Sequence, residues 1–133
     1  MTLAPLLNAS PAIHLHVFGV VVAIIATALI FTRARGTGQH RLFGWVWVTG
    51  MGLAAVSSFF IHSTEGIAGF SAIHLISVYV LVSLVVGLRA IRKHRNIRAH
   101  RSTMLGMTIG GLGVAGALSF LPGRIMSQML FAF

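Results

Sequence analysis

Seven histidines and one carboxylate, Glu65, are the only strong metal ligands in this 133-residue chain. Cysteine is absent, so disulfides, iron–sulfur clusters and thiolate zinc sites are excluded. Four of the histidines recur at one offset: His14 falls on His74, and His40 falls on His100, when the chain is shifted by 60. The same shift lays Ala12-Ile-His-Leu15 on Ala72-Ile-His-Leu75 and Arg41 on Arg101. Residues 12–60 then match 72–120 without a gap at 12 of 49 positions, two of them histidine. A period of this size means one structural unit used twice. Neutral imidazole is a good ligand for iron and other transition metals, and two imidazoles on facing helices can hold one metal from both sides. No nucleophile–base arrangement or carboxylate pair is present, so hydrolytic chemistry is not expected.

The elements that must position these histidines are membrane helices. Hydrophobic residues make up 56% of the chain and charged residues 8%, against about one-quarter charged in soluble domains. A membrane helix needs about 20 apolar residues, and four segments qualify: about 11–32, 42–61, 70–91 and 103–121. Residues 1–11 lack the basic start of a cleavable signal, and Ser10-Pro11 reads as the cap and first position of helix one. The expected fold is all-α: an integral membrane four-helix bundle forming one domain, residues 1–133. It consists of two repeated hairpins, 12–61 and 72–121, whose pseudo-twofold lies along the membrane normal.

Arginines and one lysine concentrate in the two turns that join the helices of each hairpin, while the turn between hairpins carries only Glu65. Positive turns stay cytoplasmic, so both termini are expected outside, and the basic turns should meet anionic lipid headgroups. The net charge of +9 is thus a topology signal rather than a nucleic-acid footprint. The lipid bilayer is the first partner.

On helix two, His40, Gly44, Trp47, Met51, Ala55, Ser58 and His62 share one face; its copy on helix four is His100, Met104, Met107, Gly111, Ala115 and Leu118. Both faces should look inward, bringing His40 toward His100 at the cytoplasmic surface. By the same symmetry His14 approaches His74 at the outer surface, with His16 and His62 nearby. His16, rather than His14, falls on the small-residue stripe Gly19, Ala23 and Ala26.

This placement resembles the transmembrane two-haem cytochromes of the ascorbate-reducing cytochrome b kind. The resemblance implies haem b and electron transfer, with His14/His74 as outer ligands, His40/His100 as inner ligands, and Arg41 and Arg101 beside the haem propionates. Ligands so near opposite surfaces would separate the irons by most of the ~30 Å hydrocarbon thickness. Three other readings stand beside it. The His-Arg pairs can be interfacial anchors, and His14 or His16, with His62, His74 and Glu65, can form one outer metal site suited to zinc, copper or iron. The whole chain can also serve as a non-catalytic accessory or assembly subunit of a larger membrane complex, or as a homo-oligomer.

Gly38-Gln-His-Arg-Leu-Phe-Gly-Trp45, Ala72-Ile-His-Leu75, Ala99-His-Arg-Ser-Thr-Met104 and Pro122-Gly-Arg124 resemble the motifs of a family of bacterial predicted membrane proteins of unknown function. That resemblance spans about residues 12–130. It implies four helices and a multi-pass place in the bacterial inner membrane, and it points to His40, Arg41, His74, His100, Arg101 and Arg124.

Overall fold

The computed structural model describes residues 1–62 and 71–131. All regular structure among them is helical. Three helices of equal length dominate: α2 (Pro11–Phe31), α3 (Gly38–Ser58) and α4 (Ala72–Arg92). A fourth helical run is made of α5 (Ile97–Met107), a π segment (Thr108–Val114) and α6 (Ala115–Leu118). Short helices flank these at both ends, α1 (Ala4–Leu7) and α7 (Ile125–Phe131). Hydropathy does not signal either of them, and they meet where Thr2 N–H donates to the Met129 carbonyl at 3.0 Å.

The helix starts arise from local chemistry. Pro11 occupies the first turn of α2, where its missing N–H costs nothing. The Thr37 hydroxyl caps α3 by accepting from His40 N–H at 3.2 Å. The Asn96 side chain caps α5 by accepting from Ala99 N–H at 3.0 Å. Helices two and four therefore begin four and six residues earlier than the apolar segments suggest, and His40 and His100 lie inside their first turns.

Among the described residues, two helices are long and apolar enough to cross a membrane: Pro11–Phe31, with mean hydropathy 2.4, and Ala72–Arg92, with 2.0. In α3 the apolar content is diluted by Gly44, Thr49, Gly50, Gly52, Ser57 and Ser58. In the fourth run the α-helical stretch ends after 11 residues at the π segment.

Packing is tightest between α2 and α3. A β-carbon on Gly19 would stand 2.7 Å from the Gly50 carbonyl oxygen and 2.8 Å from Ala54 N, and one on Gly50 would stand 2.9 Å from the Gly19 oxygen. The backbones thus touch directly, as membrane helices do where small residues allow it. The offset of 60 turns this pair into Tyr79 and Gly110, where a β-carbon on the glycine would stand 3.7 Å from the edge of the tyrosine ring. Copy two fills with a ring the space that copy one closes by backbone contact.

α3 also packs on α4, α4 on α5, and the π segment reaches both α2 and α4. The shared core comprises Ala23, Ala26, Trp47, Met51, Ala55, Val80, Leu84 and Met107. Trp47 Nε1 donates to the Thr27 hydroxyl at 2.9 Å, so the buried indole is satisfied within the α2–α3 hairpin.

The middle of the expected inward face of helix two is buried at Trp47, Met51, Ala55 and Ser58, while His62, expected on the same face, lies past the end of α3 and is exposed. Helix four keeps its expected face as far as Gly111, where a β-carbon would stand 3.2 Å from both Met51 Cε and Val80 Cγ2, and departs from it beyond. Leu118, expected inward, is 41% exposed. The π segment is the physical reason: its i→i+5 bonding takes in one more residue per turn and rotates the rest of the run.

Candidate functional site

The histidines separate into two environments at opposite ends of the long helices. At the basic end, the Asn96 cap holds His100 in the first turn of α5, and His100 Nδ1 lies 2.9 Å from the Gly87 carbonyl oxygen. A carbonyl only accepts, so Nδ1 carries the proton and Nε2 of the neutral ring keeps its lone pair. Such an Nδ1–H···O=C contact fixes tautomer and ring orientation behind many metal-bound histidines. Gly87 makes the approach possible: a β-carbon there would lie 2.6 Å from Met104 Cε and 3.3 Å from Thr103 Cγ2.

His40 stands before the apolar part of α3, with its Nδ1 buried and without a hydrogen-bond partner. Partial burial, then the nearby His100 and Arg35, hold its pKa below the usual 6.5. Both histidines lie in the first turns of their helices at the basic end, and His100 is among the groups that act on the His40 ring. Arg41 and Arg101 are exposed beside them.

The shift has a sign that can be worked out. A histidine with a lowered folded-state value binds fewer protons folded than unfolded, so stability falls as pH drops below 6.5 toward the folded value. At neutral pH His40 stays uncharged, the form that binds metals. An NMR titration should place its midpoint below 6.5. Arg35→Gln should raise that midpoint by removing a positive neighbour; an unmoved midpoint would show that Arg35 does not act on the ring.

At the opposite end the polar groups form a seam across α2, α3 and α4. His16 Nδ1 donates to the Ala54 carbonyl at 2.7 Å, and Ser57 Oγ donates to the same oxygen at 3.1 Å. Ser58, fully buried, bonds the Ala55 carbonyl at 2.7 Å and shares a short hydrogen bond with Ser77 across the α3–α4 contact. Ser77 in turn bonds the Ile73 carbonyl at 2.8 Å. Two hydroxyl protons thus serve three contacts. His74 is also buried: its Nδ1 accepts from Ser71 N–H at 3.0 Å, and its ring leans on Phe59 with centroids 6.0 Å apart. Interhelical hydrogen bonds in membranes contribute about 0.6 kcal/mol on average and up to about 1.7. Ser77→Ala is therefore expected to lower stability by about 1 kcal/mol in a detergent unfolding titration.

The outer pair expected from the repeat is not equivalent in its surroundings. His14 is exposed, and its Nε2 donates to the Leu6 carbonyl at 2.7 Å, tying α1 to α2. The two rings differ because His14 bonds α1, whereas His74 turns to Ser71 and Phe59. Between His14 and His16, it is His16 that faces the neighbouring helix. His62 is exposed, and Glu65 lies outside the described residues, so the outer metal site built on it does too. Among the described residues no three ligating side chains gather in one place. Ser77 was missed from sequence, although its spacing from His74, Val80, Leu84 and Gly87 marks the buried face of α4.

The histidine chemistry thus sits on an all-helical scaffold with two membrane-capable helices, which defines a small membrane protein. Residues 12–130 match the family described as predicted membrane protein (DUF2306), and the chain belongs to that family. No curated protein and no solved structure is detectably similar to it.

Proposed function

We propose that the protein is a multi-pass protein of the bacterial inner membrane that holds haem b at its basic, cytoplasmic end, between His40 and His100. The carrying observation is His100. Its proton is committed to the Gly87 carbonyl, which leaves Nε2 as the ligating atom, and His40 offers a second neutral imidazole nearby. Haem in that position would supply one-electron transfer. The chain's own part is to present two neutral imidazoles, to orient one through Gly87, and to set Arg41 and Arg101 at the rim for anionic propionates. The outer pair supports a second haem less well, because His14 Nε2 is used on Leu6 and the ring is exposed. In this reading all four helical runs cross the bilayer with both termini outside, since the basic residues gather at the turns joining α2 to α3 and α4 to α5.

The test is the visible spectrum of the full chain produced with ample haem supply. A Soret band with a reduced α-band of b type is expected. A colourless preparation would sink the proposal.

The second reading is an accessory subunit or homo-oligomer. Gly113 and Val114, exposed on the fourth run with the small Ala117 one turn on, favour it as a surface where another helix can approach closely.

A further inference from the structure

The turn between α4 and α5 carries a feature that the histidine pair does not use. Its backbone folds back on the end of α4: Asn96 N–H donates to the Ala90 carbonyl at 2.8 Å, and His94 N–H to the Arg89 carbonyl at 3.2 Å. Arg95 takes a left-handed conformation, φ 49°, to make this possible, where helix ends more often place glycine. The fold-back sets His94 and Asn96 beside Arg89 and opens a groove of about 300 Å³ between α4 and α5, lined by Val86, Arg89, Ala90, His94, Asn96 and Ala99. Its floor is apolar and its rim is basic.

Two further observations bear on what fills it. The apolar floor continues down the outside of α4 through Val86, Val85, Val82 and Val78, which are 52%, 56%, 58% and 49% exposed. This is one of the two membrane-capable helices among the described residues; with α4 across a bilayer the exposed valines would meet acyl chains and the groove at its basic end would lie at headgroup depth. The charge around the groove is also one-sided. Arg89, Arg92, Lys93, Arg95, Arg98 and Arg101 lie within 13 residues, and the chain's single acid, Glu65, is 24 residues before the first of them in sequence.

We propose that this groove is a binding site for one anionic phospholipid. The phosphate is held by Arg89 with His94 and Asn96 at the rim, and an acyl chain lies along the valine stripe. Charge alone would suit an acidic protein segment equally; the continuous apolar track below the cations favours a lipid. The inference depends on α4 lying in a membrane and not on haem.

The full chain in detergent micelles can be mixed with phosphatidylglycerol or phosphatidylcholine of identical chains, and bound lipid counted by native mass spectrometry. Phosphatidylglycerol should be retained in preference, and Arg89→Gln should weaken its retention about five-fold. His94→Ala, with its side chain exposed on the turn, should weaken retention further. Arg33→Gln, the same charge removed from the other basic turn, should leave retention unchanged; circular dichroism verifies that each variant is folded. Equal weakening by Arg33→Gln would overturn the site in favour of diffuse charge. Displacement of the lipid by millimolar inorganic phosphate would also overturn it, since the apolar track would then contribute nothing. Displacement by poly-glutamate would do the same in favour of an acidic protein partner.

Discussion

Alanine at position 19 is expected to lower the stability of the protein by about 3 kcal/mol, the upper end of the range for overpacking. The β-carbon would meet backbone atoms, Gly50 O and Ala54 N, and no side-chain rotamer can relieve a collision with a helix backbone. The α2–α3 hairpin must part along its tightest seam, which also strains the His16–Ala54 hydrogen bond one turn away. Gly52→Ala is the internal control. It adds the same methyl to α3 where nothing lies within 4 Å, and it should be neutral or slightly stabilising. Thermal unfolding of both variants in one detergent reads the difference. Equal midpoints for Gly19→Ala and the native chain would show that the two helices do not meet through these glycines.

Removing the imidazole of His100 is expected to reduce haem affinity more than about 100-fold, because changing even the groups behind a metal ligand costs about 10–100-fold. The Soret band of His100→Ala should vanish at haem concentrations that saturate the native chain, and added free imidazole should restore part of it. His14→Ala should keep the band at full height, because its ring is exposed and pinned to α1. A band lost in His14→Ala and kept in His100→Ala would move the haem to the opposite end and refute the assignment at Gly87.

The long helices were readable because lipid demands long apolar runs and because Pro11 and the small stripe Gly19, Ala23 and Ala26 mark one helix end and one buried face. The stripe carries His16 and not His14 but left open which ring turns inward, and the hydrogen bond of His16 to Ala54 answers it. Partners across helices were not readable. Nothing local says that Gly19 meets Gly50, or that Ser58 meets Ser77, since these depend on how two helices are rotated against each other. The starts of α3 and α5 were displaced for a different reason: a threonine or asparagine cap extends a helix into polar sequence that hydropathy leaves outside. The inequivalence of His14 and His74 was hidden because α1, formed by featureless residues before the repeat, captures one ring and not the other.

The π segment alters what the offset of 60 means. In letters the two copies run in step from end to end. In space they run in step as far as Gly111, which packs on Met51 and Val80, after which copy two lags by about one residue, because a π turn takes in one more. Residues beyond Val114 therefore answer to different neighbours than their counterparts beyond Ala54. The Ser57–Ser58 seam has no twin at Ala117–Leu118 for this reason as well as for the change of residue type. A duplicated hairpin has become, through a phase slip inside one helix, a molecule whose two copies no longer correspond beyond that slip. At the basic end they differ as well: His100 bonds the Gly87 carbonyl, while the buried Nδ1 of His40 has no partner.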